Sequence, residues 1–345
     1  MKIIGGSIAD RFTSRENNFD IIRLLAAALV IFSHSYPLTL GSNASEPFSK
    51  LTNGQETFGG LGVSIFFIIS GFLITFSYER SANIFEYFRN RILRIYPALI
   101  VLILLTVFVL GPILTTVDGR TYLLNPATLR YLESFMLVNM QYSLPGVFEH
   151  NPYPNAVNGS LWTLWYELFF YMVVAVLGSL KLLKKSVLVP LFVIVLVISL
   201  KLNPGEAVFQ YFELFKYFGM GMIVYLFRRE IKLNKYAALL SVALLWLFTW
   251  TDHYKLAFIF CGTYLIFFLG LGISKLFKTL QERGDFSYGM YIYAFPVQQI
   301  VSYVLKDHVT PMYNFIIAAP ITLILSILSW NYVEKRSLQL KKKKI

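Results

Sequence analysis

The sequence predicts an all-α, polytopic integral membrane protein of about ten transmembrane helices, with its N- and C-termini in the cytosol. Three observations lead there. Of the 345 residues, 56% are hydrophobic and 17% aromatic, with a mean hydropathy of +0.59, too apolar for a soluble chain of this size. Apolar runs near membrane-spanning length recur along the chain, bounded by charged or turn residues. Basic residues segregate to alternate connections: of 31 lysines and arginines, all but Lys50, Arg120, Arg130, Lys201, Lys216, Lys255 and Lys306 fall on one side if every run crosses the bilayer. The positive-inside rule makes that side cytosolic and places the protein in the cell's inner or plasma membrane.

The runs fall at 19–38, 59–78, 95–114, 159–180, 186–201, 207–227, 236–251, 256–274, 286–305 and 311–331. They divide the chain into a cytosolic segment 1–18, a membrane domain 19–333 and a basic cytosolic tail 334–345. The first run precedes Ser42-Asn43-Ala44, which has the small-x-small form of a signal-peptidase site. It is nevertheless too long for a typical signal peptide and carries an arginine and a histidine. The second opens on Gly59-Gly60 and contains Gly62, Ser70 and Gly71, small residues that let helix backbones approach closely. The third follows the cytosolic stretch Phe88-Arg89-Asn90-Arg91-Ile92-Leu93-Arg94. The longest connection, 115–158, lies outside, and its Phe135–Val138 patch is too short to span, so it reads as amphipathic or re-entrant. The fourth run carries Trp162, Trp165 and Glu167, and Trp246 and Trp250 end the seventh. These tryptophans read as an aromatic belt rather than a sugar platform. Cys261, in the eighth, is the single cysteine, which excludes an internal disulfide or cysteine metal cluster.

The candidate functional residues begin in the first run. Arg23 within a bilayer-spanning helix costs on the order of 3 kcal/mol, so such residues usually face a cavity and mark function. His34 lies eleven residues on, about 16 Å along the same helix face, and Asp20 shares that stripe. Asp20 and Arg23 alternatively mark a snorkelling helix end, and His34 a packed residue hydrogen-bonded to a neighbour. Ser70 can turn a hydroxyl toward the same cavity. Arg89, Arg91 and Arg94 either anchor the third span to anionic headgroups or clamp a phosphorylated ligand through bidentate hydrogen bonds. Glu167 serves catalysis or neutralises an arginine for structural reasons. His150, His253 and His308 fall in outer connections, which leaves no histidine-rich metal site. The net charge of +12 is spread between apolar spans rather than gathered on a soluble face, against nucleic-acid binding.

Taken in order, these stretches resemble the membrane-bound acyltransferase 3 family. Arg23 and His34 match its Arg-x10-His motif, Ser70-Gly71-Phe72-Leu73-Ile74 its second-helix core, and Arg91-Ile92-Leu93-Arg94 its Arg-x-x-Arg pattern. Ser160-Leu161-Trp162-Thr163-Leu164-Trp165-Tyr166-Glu167 and Phe286-Ser287-Tyr288-Gly289-Met290-Tyr291-Ile292-Tyr293-Ala294-Phe295-Pro296 complete the resemblance. The resemblance implies transfer of an acyl group, usually acetyl, from acetyl-CoA to a hydroxyl of surface or secreted polysaccharide. It implies that His34 and Arg23 are needed for the reaction and that Arg91 and Arg94 hold the donor, with Arg89, Ser70 and Tyr288 as further donor contacts. Many relatives carry a histidine two residues before the proline of the last motif, where this chain has Ala294. No hydrolase-like domain follows the last span in this sequence, so transfer is expected to finish in the membrane domain or with a separate partner.

The expected reaction path runs through the helix bundle, with the donor nucleotide at the arginines and the acceptor entering from outside. His34 acts as general base, oriented by a carboxylate such as Glu167, with an acyl-histidine intermediate as the variant. Partners are then a carbohydrate acceptor and membrane lipids, with no metal and no nucleic acid, and assembly into a homo-oligomer is left open. The rival class is a polysaccharide or lipid-linked sugar transporter or flippase without acyl chemistry. The chain shows no internal repeat of the kind many transporters carry.

Overall fold

A computed structural model describes residues 6–12, 17–274, 276–277 and 282–342. All ten apolar runs are helical: Phe19–Leu40 (α1), Phe58–Arg80 (α2), Ile84–Leu105 (α3), Trp162–Ser179 (α4), Lys185–Ser199 (α5), Phe209–Leu226 (α6), Lys235–Phe248 (α7), Thr263–Leu271 (α8), Ser287–Leu305 (α9) and Pro311–Ser329 (α10). α3 continues through a π-helical turn, Thr106–Leu110, to Leu114. α8 is led in by Tyr254–Ala257 and a second π turn, and α10 runs on through a third to Gln339. Among the described residues, six helices are long and apolar enough to cross a membrane: α1, the extended α3, α8 and α10, and α2 and α4. α5 and α7, at 15 and 14 residues, fall short of the roughly 20 that a bilayer core requires. α6 and α9 bury polar side chains, Lys216 in one and Gln298 and Gln299 in the other.

The chain forms two compact units. The first comprises Met1–Ala26, Pro47–Ile84 and Tyr166–Gly284, and the second Ala27–Glu46, Phe85–Trp165 and Asp285–Ile345. The division falls inside α1, so Asp20 and Arg23 belong to the first unit and His34 to the second.

In the first unit α2 and α6 lie backbone to backbone, and glycine makes this possible. A Cβ on Gly71 would sit 1.9 Å from the Phe218 carbonyl oxygen, and one on Gly221 would sit 2.1 Å from that of Ile68. Here the small residues of the second run do what their chemistry suggests, letting two helices exchange close backbone contact. Around this seam Phe12, Phe19, Phe72, Tyr225 and Phe267 pack edge to face. Asn18, wholly buried, holds the start of α1 to the end of α8: its backbone N–H donates to the Gly270 carbonyl at 2.8 Å and its side-chain amide to those of Leu269 and Ser274. Lys216, one of the exceptions to the charge asymmetry, is buried against Glu213 at 2.5 Å, and Lys255 reaches the same carboxylate at 3.2 Å.

The long connection at 115–158 is not featureless. It forms two short helices, Gly119–Leu124 and Pro126–Leu132, then a 3-10 turn, Glu133–Met136, closed by Leu137 in the left-handed region at φ 66°. Phe135 and Met136 of the predicted amphipathic patch are exposed, and Leu137 is buried.

Gly71→Ala is expected to lower stability by about 1–3 kcal/mol, because backbone rather than a flexible side chain must give way. The melting temperature of detergent-solubilised protein measures this. Gly119→Ala, where an added Cβ meets nothing within 4 Å, should melt with the wild type.

Candidate active site

His34 sits one turn before Pro37 on α1. Proline has no N–H to give the Ser33 carbonyl, which loosens the helix ladder beside the histidine. Local hydroxyls reinforce the ladder around it, Ser35 Oγ donating to the Phe32 carbonyl at 2.6 Å and Thr39 Oγ1 to the Ser35 carbonyl at 2.7 Å. The imidazole meets the Phe295 ring edge to face, with centroids 5.5 Å apart. Its Nδ1 is buried and has no hydrogen-bond partner among the described residues.

Phe295 stands beside Pro296 in α9, and this proline explains how two sequence motifs meet. Pro296 cannot donate to the carbonyl four residues back, that of Ile292. Asn158, fully buried at the approach to α4, fills the gap, its side-chain amide donating to the Ile292 carbonyl at 2.8 Å. Its Oδ1 accepts from Ser160 N–H. One residue before Ile292, the Tyr291 hydroxyl donates to the Ser160 carbonyl at 2.6 Å and lies 2.6 Å from Thr163 Oγ1. Gly159 lies against Phe295 so closely that a Cβ would fall 2.7 Å from the ring. The Ser160-Leu161-Trp162-Thr163 stretch is thereby fastened to the face of α9 that carries Phe295.

A buried amide network fixes α9 itself. Gln298 Nε2 donates to the Ile31 carbonyl at 2.8 Å and to Asn314 Oδ1 at 2.9 Å. Asn314 returns a hydrogen bond to the Gln298 carbonyl, and Ser302 Oγ donates to the Leu38 carbonyl. These bonds bracket His34 on α1 between Ile31 and Leu38. Buried amides with partners on neighbouring helices fix register in a way apolar contacts alone do not.

The arginines occupy the other end of the second unit's chemistry. α3 begins at Ile84, eleven residues before the apolar run at 95, so the three arginines lie in helical register rather than ahead of a helix. Nothing between Ile84 and Ile95 is glycine or proline, and the helix runs back until Ser81-Ala82-Asn83. Arg94 is committed to structure. It bridges Asp285 at 2.6 Å and the buried Glu334 at 2.9 Å, and its guanidinium lies over the rings of Tyr288 and Trp330. The Tyr288 hydroxyl donates to the Ile95 carbonyl. Arg89 donates to the Lys341 carbonyl at 3.1 Å, while its Nε is buried and unpartnered among the described residues. Burial, with Arg91 and Arg94 close by, pulls the Lys341 amine down to about 7.

Asp20, Arg23, Ser70 and Glu167 belong to the first unit. Asp20 and Arg23 lie in the opening turns of α1, both half-buried. Ser70 is half-buried on α2. Glu167 accepts a hydrogen bond from the Tyr171 hydroxyl one turn further along α4. The structure thus gathers Arg89, Arg91, Arg94 and Tyr288 in one cluster and places His34 in a second, with Phe295. Asn158, Phe295, Gln299 and Lys341 complete these sites and were not singled out as site residues by sequence reading. Only the unpaired Pro296 carried a signal, since a proline inside a helix announces a carbonyl in need of a donor.

A buried histidine with an open nitrogen and a separate cluster of cations, among membrane-length helices, make up the candidate site. Residues 16–331 match the acyltransferase domain of the acyltransferase 3 type. The chain is 31% identical over 334 residues to an O-acetyl transferase of Shigella phage Sf6, covering 94% of this chain and 96% of that protein. It is 34% identical over 182 residues to nodulation protein 10 of Rhizobium leguminosarum bv. viciae, covering 50% and 47%. No solved structure matches. The chain belongs to the acyltransferase 3 family of multi-pass membrane enzymes.

Proposed function

We propose that this enzyme is an O-acetyltransferase that moves an acetyl group from acetyl-CoA to a hydroxyl of a surface or secreted polysaccharide. The similarity to an O-acetyl transferase of Shigella phage Sf6 supports O-acetylation. The observation that carries the reading is the buried Nδ1 of His34, unpartnered among the described residues at the meeting point of two motifs. The proposed topology has ten spans, cytosolic termini and the inner or plasma membrane as its location, on the strength of the charge asymmetry. The membrane domain is taken as 19–333, with the basic tail carrying Lys341.

The donor's phosphates suit Arg89, Arg91 and Lys341, with Arg94 and Tyr288 shaping the cluster from their fixed positions. Keeping the charged nucleotide there while the uncharged pantetheine arm extends inward avoids burying phosphate. In the transfer step the sugar oxygen attacks the thioester carbonyl carbon. His34 takes the hydroxyl proton, the C–S bond breaks, and the released thiolate recovers a proton to leave as coenzyme A. Asp20, Arg23, Ser70 and Glu167 are kept as proposed site residues, all in the first unit.

Purified protein with labelled acetyl-CoA and a candidate polysaccharide tests the reading. His34→Ala is expected to lower transfer by about 10²–10⁴-fold, the usual contribution of a general base. Wild-type rates in that variant would contradict it.

Lys341 gives a pH signature. Its amine is lowered to about 7 in the free protein, so much of it is neutral at pH 8, and a phosphate beside it restores the charge by raising its pKa. Coenzyme A binding at pH 8 should therefore take up close to one proton and weaken as pH rises above 7. Calorimetry in two buffers of different ionisation enthalpy reads this directly, and Lys341→Met should remove the uptake.

A further inference from the structure

A cavity of about 420 Å³ opens in the second unit, lined by Tyr142, Tyr153, Asn155, Gly159 and Trp162 among others. Its size falls within the roughly 300–1,000 Å³ of small-molecule sites. No lining residue is charged: alongside the rings stand Ser143, Asn155, Pro154, Ala156 and Gly159. That chemistry suits a neutral polar ring whose faces are apolar C–H and whose edge is hydroxyl, and does not suit the phosphates of an acyl donor. Trp162, read from sequence as part of an aromatic belt, lines this cavity, whereas Trp246 and Trp250 are exposed and contact each other.

The cavity wall is built rather than draped. Gln299, fully buried on α9, donates through Nε2 to the carbonyls of Tyr153 at 2.8 Å and Ala156 at 2.7 Å. The buried Asn151 amide donates to the Gln299 side-chain and backbone oxygens. The next anchor along the wall is Asn158 on the Ile292 carbonyl. Such satisfied, buried amides hold a binding wall in place before ligand arrives. Tyr142 and Tyr153 form an exposed rim, at 39% and 41%, so a ring in the cavity can continue outward into a longer chain.

One aromatic ring separates this cavity from the histidine. Phe295 meets Tyr153 at 6.2 Å and His34 at 5.5 Å between centroids, edge to face in both cases. We infer that the cavity at Tyr142, Tyr153 and Trp162 is an acceptor subsite, in which these rings stack on one neutral sugar of the polysaccharide next to the sugar that is acetylated, which meets His34 on the far side of Phe295. The subsite rests on the carbohydrate O-acetyltransferase reading and names where its acceptor docks. Stacking by Trp and Tyr supplies large contact area at small entropic cost, with Asn155 and Ser143 available to the hydroxyl edge.

The test uses full-length Trp162→Ala, Trp162→Phe and Tyr153→Ala, each assayed for acetyl transfer from acetyl-CoA to a soluble polysaccharide and for coenzyme A binding. Both alanine variants are expected to raise the acceptor KM about tenfold, on the scale of one lost aromatic contact, with coenzyme A affinity unchanged and Trp162→Phe close to wild type. Tyr153 is exposed, so its variant keeps the test intact should Trp162→Ala fail to fold. If wild type transfers acetyl to polysaccharide and the alanine variants keep its acceptor KM, the subsite is wrong while the activity stands. If wild type acetylates no carbohydrate, the activity reading fails and takes the subsite with it.

Discussion

The second unit turns on one carbonyl. Pro296 strips the Ile292 oxygen of its helical donor, and the Asn158 amide supplies the replacement. In an apolar interior an unsatisfied carbonyl costs about 1–3 kcal/mol, so the asparagine is held there by more than the strength of a single good bond. Because Asn158 immediately precedes Gly159, fixing it also fixes the glycine against Phe295 and orients the entry into α4. Tyr291 and Gln299, on the same helix, then hold the strip from Asn151 to Thr163 along its length. The cavity wall, the ring of Phe295 and its contact with His34 all follow from that one substitution of donors.

Charge is handled by a different logic at the arginines. Arg94 answers two carboxylates and two aromatic rings at once, which only a planar guanidinium with several donors can do. Beside it the Lys341 amine is lowered, first by burial and then by the charges of Arg91 and Arg94. The second unit thus holds both a cation cluster and an uncharged aromatic cavity.

Much of this was legible in the sequence, and the limits have physical causes. Hydrophobic runs located all ten helices, because burying or spanning demands apolar length whatever the neighbours do. Gly71 announced a close helix approach, since only a residue without Cβ permits one, though its partner Phe218 could not be named from sequence. Arg23 and His34 stood out by desolvation cost alone. The start of α3 was misplaced because hydropathy sees apolar residues, and the helix extends through an arginine-rich stretch that hydropathy scores as a boundary. Lys341 was invisible because a tail lysine looks solvated until the fold buries it. Trp162 was read as belt because aromatic rings at helix ends are common, and only its company in space, Tyr142 and Tyr153, marks it as a cavity wall.

The dependence of the site on the vacated carbonyl is best tested by a double-mutant cycle on Asn158 and Pro296. Pro296→Ala restores an N–H that the Ile292 carbonyl can accept within α9, so Asn158 should matter less in that background. The account predicts that Asn158→Ala lowers melting stability clearly in the wild type and at most slightly beside Pro296→Ala, a coupling of about 1 kcal/mol or more. Equal losses in both backgrounds would show that Asn158 does not act through that carbonyl, and would contradict the account.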